Sequence, residues 1–233
     1  MKNLILLLFS LLLLGACSSP ERQVFTVGDV QFTMVRIGEG AFNMGATPDQ
    51  GEFFHPDELP VHITQLSEFY IGETEVTQAL WEAVMGTTIE DLRKEAVDYF
   101  LTIPNADTDV ERCQHLYGQG PDYPVYYVSW NQAQAFCQKL SQLTGRQFGL
   151  PTEAQWAYAA RGGCEGKNYM YSGSNNMHEV GWTDEPFGEG GTHPVRQLLP
   201  NELGLYDMTG NVWEYCQDWY GPYQLRKQLD PTG

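Results

Sequence analysis

Asn201-Glu202-Leu203-Gly204-Leu205-Tyr206-Asp207-Met208-Thr209-Gly210-Asn211-Val212-Trp213-Glu214 packs glycines, an Asx-rich turn, large apolar and aromatic residues and carboxylates into one short stretch. An ordinary loop is not specified so tightly. Asp207 and Glu214 bracket Gly210 and Val212. A chain looping between the two carboxylates can aim their side chains and the intervening carbonyl oxygens at one point. Carboxylate and carbonyl oxygens are the hard ligands that Ca²⁺ takes. The same residues would also serve as a tight turn over a Trp-rich core, with Glu214 left in water.

Blocks of matching character precede this stretch in order. They are Met34-Val35 with Gly40-Ala41-Phe42-Asn43-Met44-Gly45, Glu58-Leu59-Pro60-Val61-His62, and Phe69-Tyr70-Ile71-Gly72-Glu73-Thr74-Glu75-Val76-Thr77. Tyr123-Pro124-Val125, Val128-Ser129-Trp130 and the run Leu150 to Gly163 follow. Together with Asn201 to Glu214 they resemble the formylglycine-generating enzyme (sulfatase-modifying factor) family over most of the chain. The resemblance implies an α+β, loop-rich fold with few regular elements, distantly akin to C-type lectins. It also implies a Ca²⁺ held by Asp207, the carbonyls of Gly210 and Val212, and Glu214. A second family calcium site would fall within residues 175–192, where the pattern departs from the enzyme's, and no ligands are assigned there.

The family's enzymes are copper-dependent oxidases that convert a cysteine in an extended polypeptide to formylglycine. Their paired copper thiolates follow an Arg-Gly-Gly-Ser-Trp-like motif, which does not occur before Gly233. The resemblance therefore supplies no catalytic residue and no copper site, and the domain, residues 30–233, is expected to be C-terminally incomplete. Two readings follow. One is a non-catalytic binding or scaffold member. The other is a copper-dependent formylglycine-generating oxidase whose cysteine block is missing.

Lys2 and the apolar run Leu4 to Leu14 read as an export signal, too short to span a bilayer comfortably. Leu14-Gly15-Ala16-Cys17 then reads as a bacterial lipobox. Residues 1–16 would be removed, Cys17 lipidated, and residues 17–29 would tether the domain. The expected location is the bacterial cell envelope, with the membrane reached through the N-terminal lipid. The formal net charge is −17. That disfavours nucleic acid and direct contact with anionic headgroups, and suits Ca²⁺. An extended polypeptide or other envelope proteins remain as partners.

Cys113, Cys137, Cys164 and Cys216 form no Cys-x-x-Cys pair, and no disulfide is assigned among them. The histidines form no His-x-x-x-His or His-Glu-x-x-His pattern, and no serine sits in a Gly-x-Ser-x-Gly elbow.

Caps mark the helices. Thr77 opens one over 78–85, stopped by Gly86. Ser129 with Gln132 and Thr152 with Gln155 form capping boxes for two more. Trp130, Ala133, Phe136, Cys137 and Leu140 make the expected inner face of the first of these, and Trp156, Ala159 and Ala160 that of the second. Val30 to Ile37 alternates as a strand, and Gly38 to Gly45 reads as a glycine-rich turn. Residues 87–120 read as an inserted surface excursion, partly helical, with Leu92, Ala96 and Phe100 on one face.

Overall fold

The computed structural model describes residues 20–51, 55–182 and 191–232. The expected signal segment 1–16 and Cys17 lie outside them. Among the described residues no helix is long and apolar enough to cross a membrane.

The chain opens with a hairpin. Strand β1 (Arg22–Val27) pairs antiparallel with β2 (Val30–Ile37), Val27 opposite Val30. The two-residue turn has Gly28 at φ 58°, the left-handed conformation that this tight connection needs at its first position. The reading of residues 17–29 as a tether is therefore corrected from Arg22 onward. Gln23, Phe25 and Val27 turn inward while Arg22, Val24 and Thr26 are exposed, and β2 supplies the ladder that a tether would lack.

Strand β3 (Gly40–Met44) pairs antiparallel with β4 (His62–Leu66), and β5 (Phe69–Gly72) returns to pair with β2. The expected glycine-rich turn at 38–45 is thus mostly strand. Glycine is needed at position 40 for packing, because an added Cβ would lie 2.0 Å from the Tyr158 hydroxyl.

Helix α1 (Gln78–Met85) starts where Thr77 accepts from Leu80 N and ends at Gly86 in the left-handed region. Helices α2 (Ile89–Phe100) and α3 (Asp107–Cys113) fill the excursion. Helix α4 (Trp130–Thr144) and helix α5 (Glu153–Ala160) each carry the expected capping box. A short α6 (Met177–Val180) leads into β6 (Gly181–Trp182), parallel to β7 (Thr209–Gly210). Finally β8 (Gln228–Leu229) runs parallel to β4. This mixture of helices and small sheets is the α+β, loop-rich architecture expected.

Two apolar clusters hold these elements together. One joins Val35, Ile37, Met44 and Leu66 to Ala154, Tyr158 and Ala159 of α5 and to Leu203 and Leu205. The other joins Val27 of β1 to α1, α2 and α4, where the Trp81 and Phe136 rings stack with centroids 5.3 Å apart. Leu92 is 1% exposed in that cluster, so residues 87–120 are built into the core and are no mere surface excursion. Burying such a side chain fully is worth about 1.5–3 kcal/mol. Trp130 departs from the expected inner face of α4. It is 38% exposed, with its indole donating to the Cys216 carbonyl at 2.9 Å. On α5 the buried set is Ala154, Tyr158 and Ala159, with Trp156 and Ala160 only partly buried.

Candidate functional site

The loop from Asn201 to Glu214 is set by its first residue. Asn201 is buried, and its Oδ1 accepts from Leu203 N at 3.0 Å and Leu205 N at 3.2 Å. Its Nδ2 donates to the Ala159 carbonyl and to Ser172 Oγ. The turn is thereby folded on itself and pinned to the end of α5. Leu203 and Leu205 plug the first core cluster, and the backbone reaches Tyr206, whose N–H donates to the Glu73 carbonyl.

Asp207 follows at φ 58°, a left-handed conformation that a short polar side chain tolerates. Its carboxylate is 3% exposed. Oδ2 accepts from Arg196 N at 2.9 Å, while Oδ1 is buried with no hydrogen-bond partner. Gly210, at φ 93°, lies against Trp182, where an added Cβ would sit 1.9 Å from the Trp182 carbonyl oxygen. Asn211 N donates to that same oxygen at 3.0 Å. Glu214 Oε1 accepts from Trp156 Nε1 of α5 at 3.1 Å.

A further carboxylate enters from across the fold. Glu75, between β5 and α1, is 7% exposed; it accepts from Asn211 Nδ2 at 2.9 Å and Val212 N at 3.2 Å. Glu75, Val212 and Glu214 line one cleft of ≈ 1870 Å³.

The electrostatics follow from this crowding. Burial, then the Glu214 and Asp207 charges, push Glu75 up to about 9 despite its hydrogen bonds to Asn211 and Val212. Glu214 is an exposed residue at the wall of the cleft. Desolvation of its carboxyl raises it to about 7, opposed by the Trp156 hydrogen bond and assisted by the Asp207 charge. Burial also raises Asp207, offset by the Arg196 amide and guanidinium.

Carboxylates whose charges raise one another, with Asp207 and Glu75 buried, fit a hard cation, which would restore their charged forms. The unpartnered Asp207 Oδ1 is an oxygen with its coordination unspent. Among the described residues no group of three or more His, Cys, Asp or Glu gathers to hold a metal by side chains alone. A cation here therefore needs the Gly210 and Val212 carbonyls beside the carboxylates.

Sequence reading named Asp207, Gly210, Val212 and Glu214, and the structure places all of them on this loop. It missed Glu75, although the block containing it was recognised. Its one signal was an acidic residue between a strand end and a helix cap. It also missed Asn201 and Trp156 as the groups that fix the loop. Cys17 lies outside the described residues, as do 183–190, the middle of the segment where a second calcium site was sought. Cys113, Cys137, Cys164 and Cys216 are all free thiols.

The sulfatase-modifying factor enzyme 1-like domain matches residues 23–231. The chain belongs to this family. A formylglycine-generating enzyme of Streptomyces coelicolor is 32% identical over 238 residues, spanning 85% of this chain and 73% of the relative. A protein of Paenibacillus barcinonensis named chaperone protein LppX is 32% identical over 194 residues, 66% of this chain and 64% of that protein. The bovine inactive C-alpha-formylglycine-generating enzyme 2 is 31% identical over 226 residues, 80% of this chain and 71% of that protein. Among solved structures, Treponema denticola variable protein 1 superposes with a TM-score of 0.67 at 29% identity, covering 92% of this chain and 84% of that one.

Proposed function

We propose that this chain is a calcium-stabilised binding or scaffold member of its family, exported and held at the bacterial envelope by a lipid on Cys17. The observation that carries the non-catalytic reading is the state of its thiols. Copper-dependent oxidation of cysteine needs paired thiolates at one soft site. Here Cys113 ends α3, Cys137 lies inside α4, Cys164 follows α5 and Cys216 follows the site loop. All four are raised, Cys137 by burial to about 11 and Cys216 by burial to about 12. Protonated thiols are poor copper ligands. The relatives named as a chaperone and as an inactive enzyme support the reading, since their names place non-enzymatic members in the same family.

In this account Ca²⁺ is held by the Asp207 carboxylate, the Gly210 and Val212 carbonyls and the Glu214 carboxylate. The bound ion would neutralise the buried carboxylates. The chain's own residues do the rest: Asn201 folds the turn, Arg196 N orients Asp207, and the Trp156 indole orients Glu214. The partner is an extended polypeptide or another envelope protein. The acidic surface, with a net charge of −17, disfavours nucleic acid.

The test is incubation of the purified chain with Cu(I), oxygen and a Cys-x-Pro-x-Arg peptide, followed by mass spectrometry. No aldehyde product is expected. Turnover would return the chain to the copper-dependent oxidase reading.

A further inference from the structure

We propose that Glu75 is a positioning residue for the calcium loop, its buried carboxylate fixing the Asn211–Val212 backbone from across the fold and so setting how tightly Ca²⁺ is held. This rests on the calcium reading above.

Glu75 accepts from Asn211 Nδ2 and from Val212 N, residues 136 and 137 positions later in the chain. It stands on a fixed frame. Glu73 N donates to the Thr33 carbonyl, Val125 N donates to the Val76 carbonyl at 2.9 Å, and Thr77 caps α1. The loop it grips turns through two left-handed residues. Asn211 has φ 61°, and Gly210 before it has φ 93°.

The two peptide units flanking Asn211 are held by different partners. Asn211 N donates to the Trp182 carbonyl, which fixes the peptide whose oxygen is that of Gly210. In a trans peptide that oxygen faces away from the N–H. Glu75 holds the next peptide, whose oxygen is that of Asn211, through Val212 N, and so fixes the amide end of the residue that supplies the Val212 carbonyl. The Asn211 side chain is locked as well. Its Oδ1 accepts from His193 N, and its Nδ2 is shared by Glu75 and the His193 carbonyl. Glu75 thus ties the Asn211–Val212 part of the loop to the β5–α1 junction, which Tyr206 N also reaches at the Glu73 carbonyl.

Glutamine at position 75 keeps the size but offers one acceptor oxygen for two donors, and turns an N–H₂ towards the other donor. It also removes the negative charge that a bound cation would restore to Glu75 beside Asp207 and Glu214. Partners that orient metal ligands typically cost 10–100-fold in affinity when removed. We therefore expect Glu75→Gln to weaken Ca²⁺ binding by about tenfold or more, whatever it does to the melting temperature in chelator. A residue serving stability alone would lower the chelator melting temperature and leave affinity intact.

The experiment is calorimetric titration with Ca²⁺ of wild type, Glu75→Gln, Asn211→Ala and the double variant, with melting temperatures in chelator for each. Action through Asn211 and Val212 predicts that the two single losses do not add. If Glu75→Gln fails to fold, Glu75→Asp keeps the charge but shortens the reach, and the same affinity loss is expected. Wild-type binding with unchanged affinity in these variants overturns the inference alone. No Ca²⁺ binding by wild type removes the calcium reading and the inference with it.

Discussion

Asn201 Nδ2 donates to the carbonyl of Ala159, 42 residues earlier, at 2.9 Å, and so ties the site loop to the last turn of α5. Ala159 is 0% exposed and Asn201 5%, so water has little access to this bond. The same side chain satisfies Leu203 N and Leu205 N. One asparagine thus folds the turn, anchors it, and places Asp207 at its far end.

Asn201→Ala should therefore cost about 3 kcal/mol or more, because it leaves buried donors and an acceptor unmet. The measurement is the urea midpoint of wild type and variant at constant slope. A loss below about 0.5 kcal/mol, the usual range for a surface change, would mean that the turn is held by other contacts.

Leu92 tests whether residues 87–120 are integral. It is 1% exposed and packs with Leu80, Trp81, Val84 and Phe136. Leu92→Ala should cost about 2–5 kcal/mol. Tyr99→Ala, on the same helix but 62% exposed, should change stability little. Equal, small effects at both positions would restore the excursion to the surface.

Helices α1, α4 and α5 are legible because their signals are local. Thr77, Ser129 with Gln132, and Thr152 with Gln155 cap within three residues, and the structure shows each cap formed. The elements that escaped depend on distant partners. β1 is a strand because of the β2 ladder, and β3 because of β4 and the Tyr158 ring against Gly40. Glu75 reaches its partner Asn211 over 136 residues. No spacing rule in one sequence reveals such a contact. Trp130 was assigned inward by helical period. The Cys216 carbonyl, which holds its indole near the surface, lies 86 residues away.

Thiol chemistry gives a third prediction. An ordinary cysteine thiol titrates near 8.5, whereas burial holds Cys137 near 11 and Cys216 near 12. Their pKa values lie above pH 8, so both stay protonated there and their thiolate fraction is small. In native protein at pH 8, iodoacetamide should label Cys164, which is exposed, well before Cys137 and Cys216. Peptide mapping against the urea-unfolded chain reads this directly. Rapid native labelling of Cys216 would contradict the thiol argument and reopen the copper reading.

Anchoring is tested separately from the fold. Cells grown with a clickable fatty acid should label the wild-type protein and not Cys17→Ala. Equal labelling of the two would reject the lipid anchor.

The central claim is that Asp207, Gly210, Val212 and Glu214 hold Ca²⁺. An ion bound only by the folded chain stabilises it by about 2.7 kcal/mol at a hundredfold its dissociation constant, or about 5–10 °C for a domain of this size. Glu214→Gln keeps the shape and removes one charge. The most direct measurement is the melting temperature of wild type and Glu214→Gln, each with Ca²⁺ and with chelator. The account predicts a Ca²⁺-dependent rise in wild type that the variant largely loses. No rise in wild type, or a full rise in the variant, would contradict it and leave the segment a tight turn over the core.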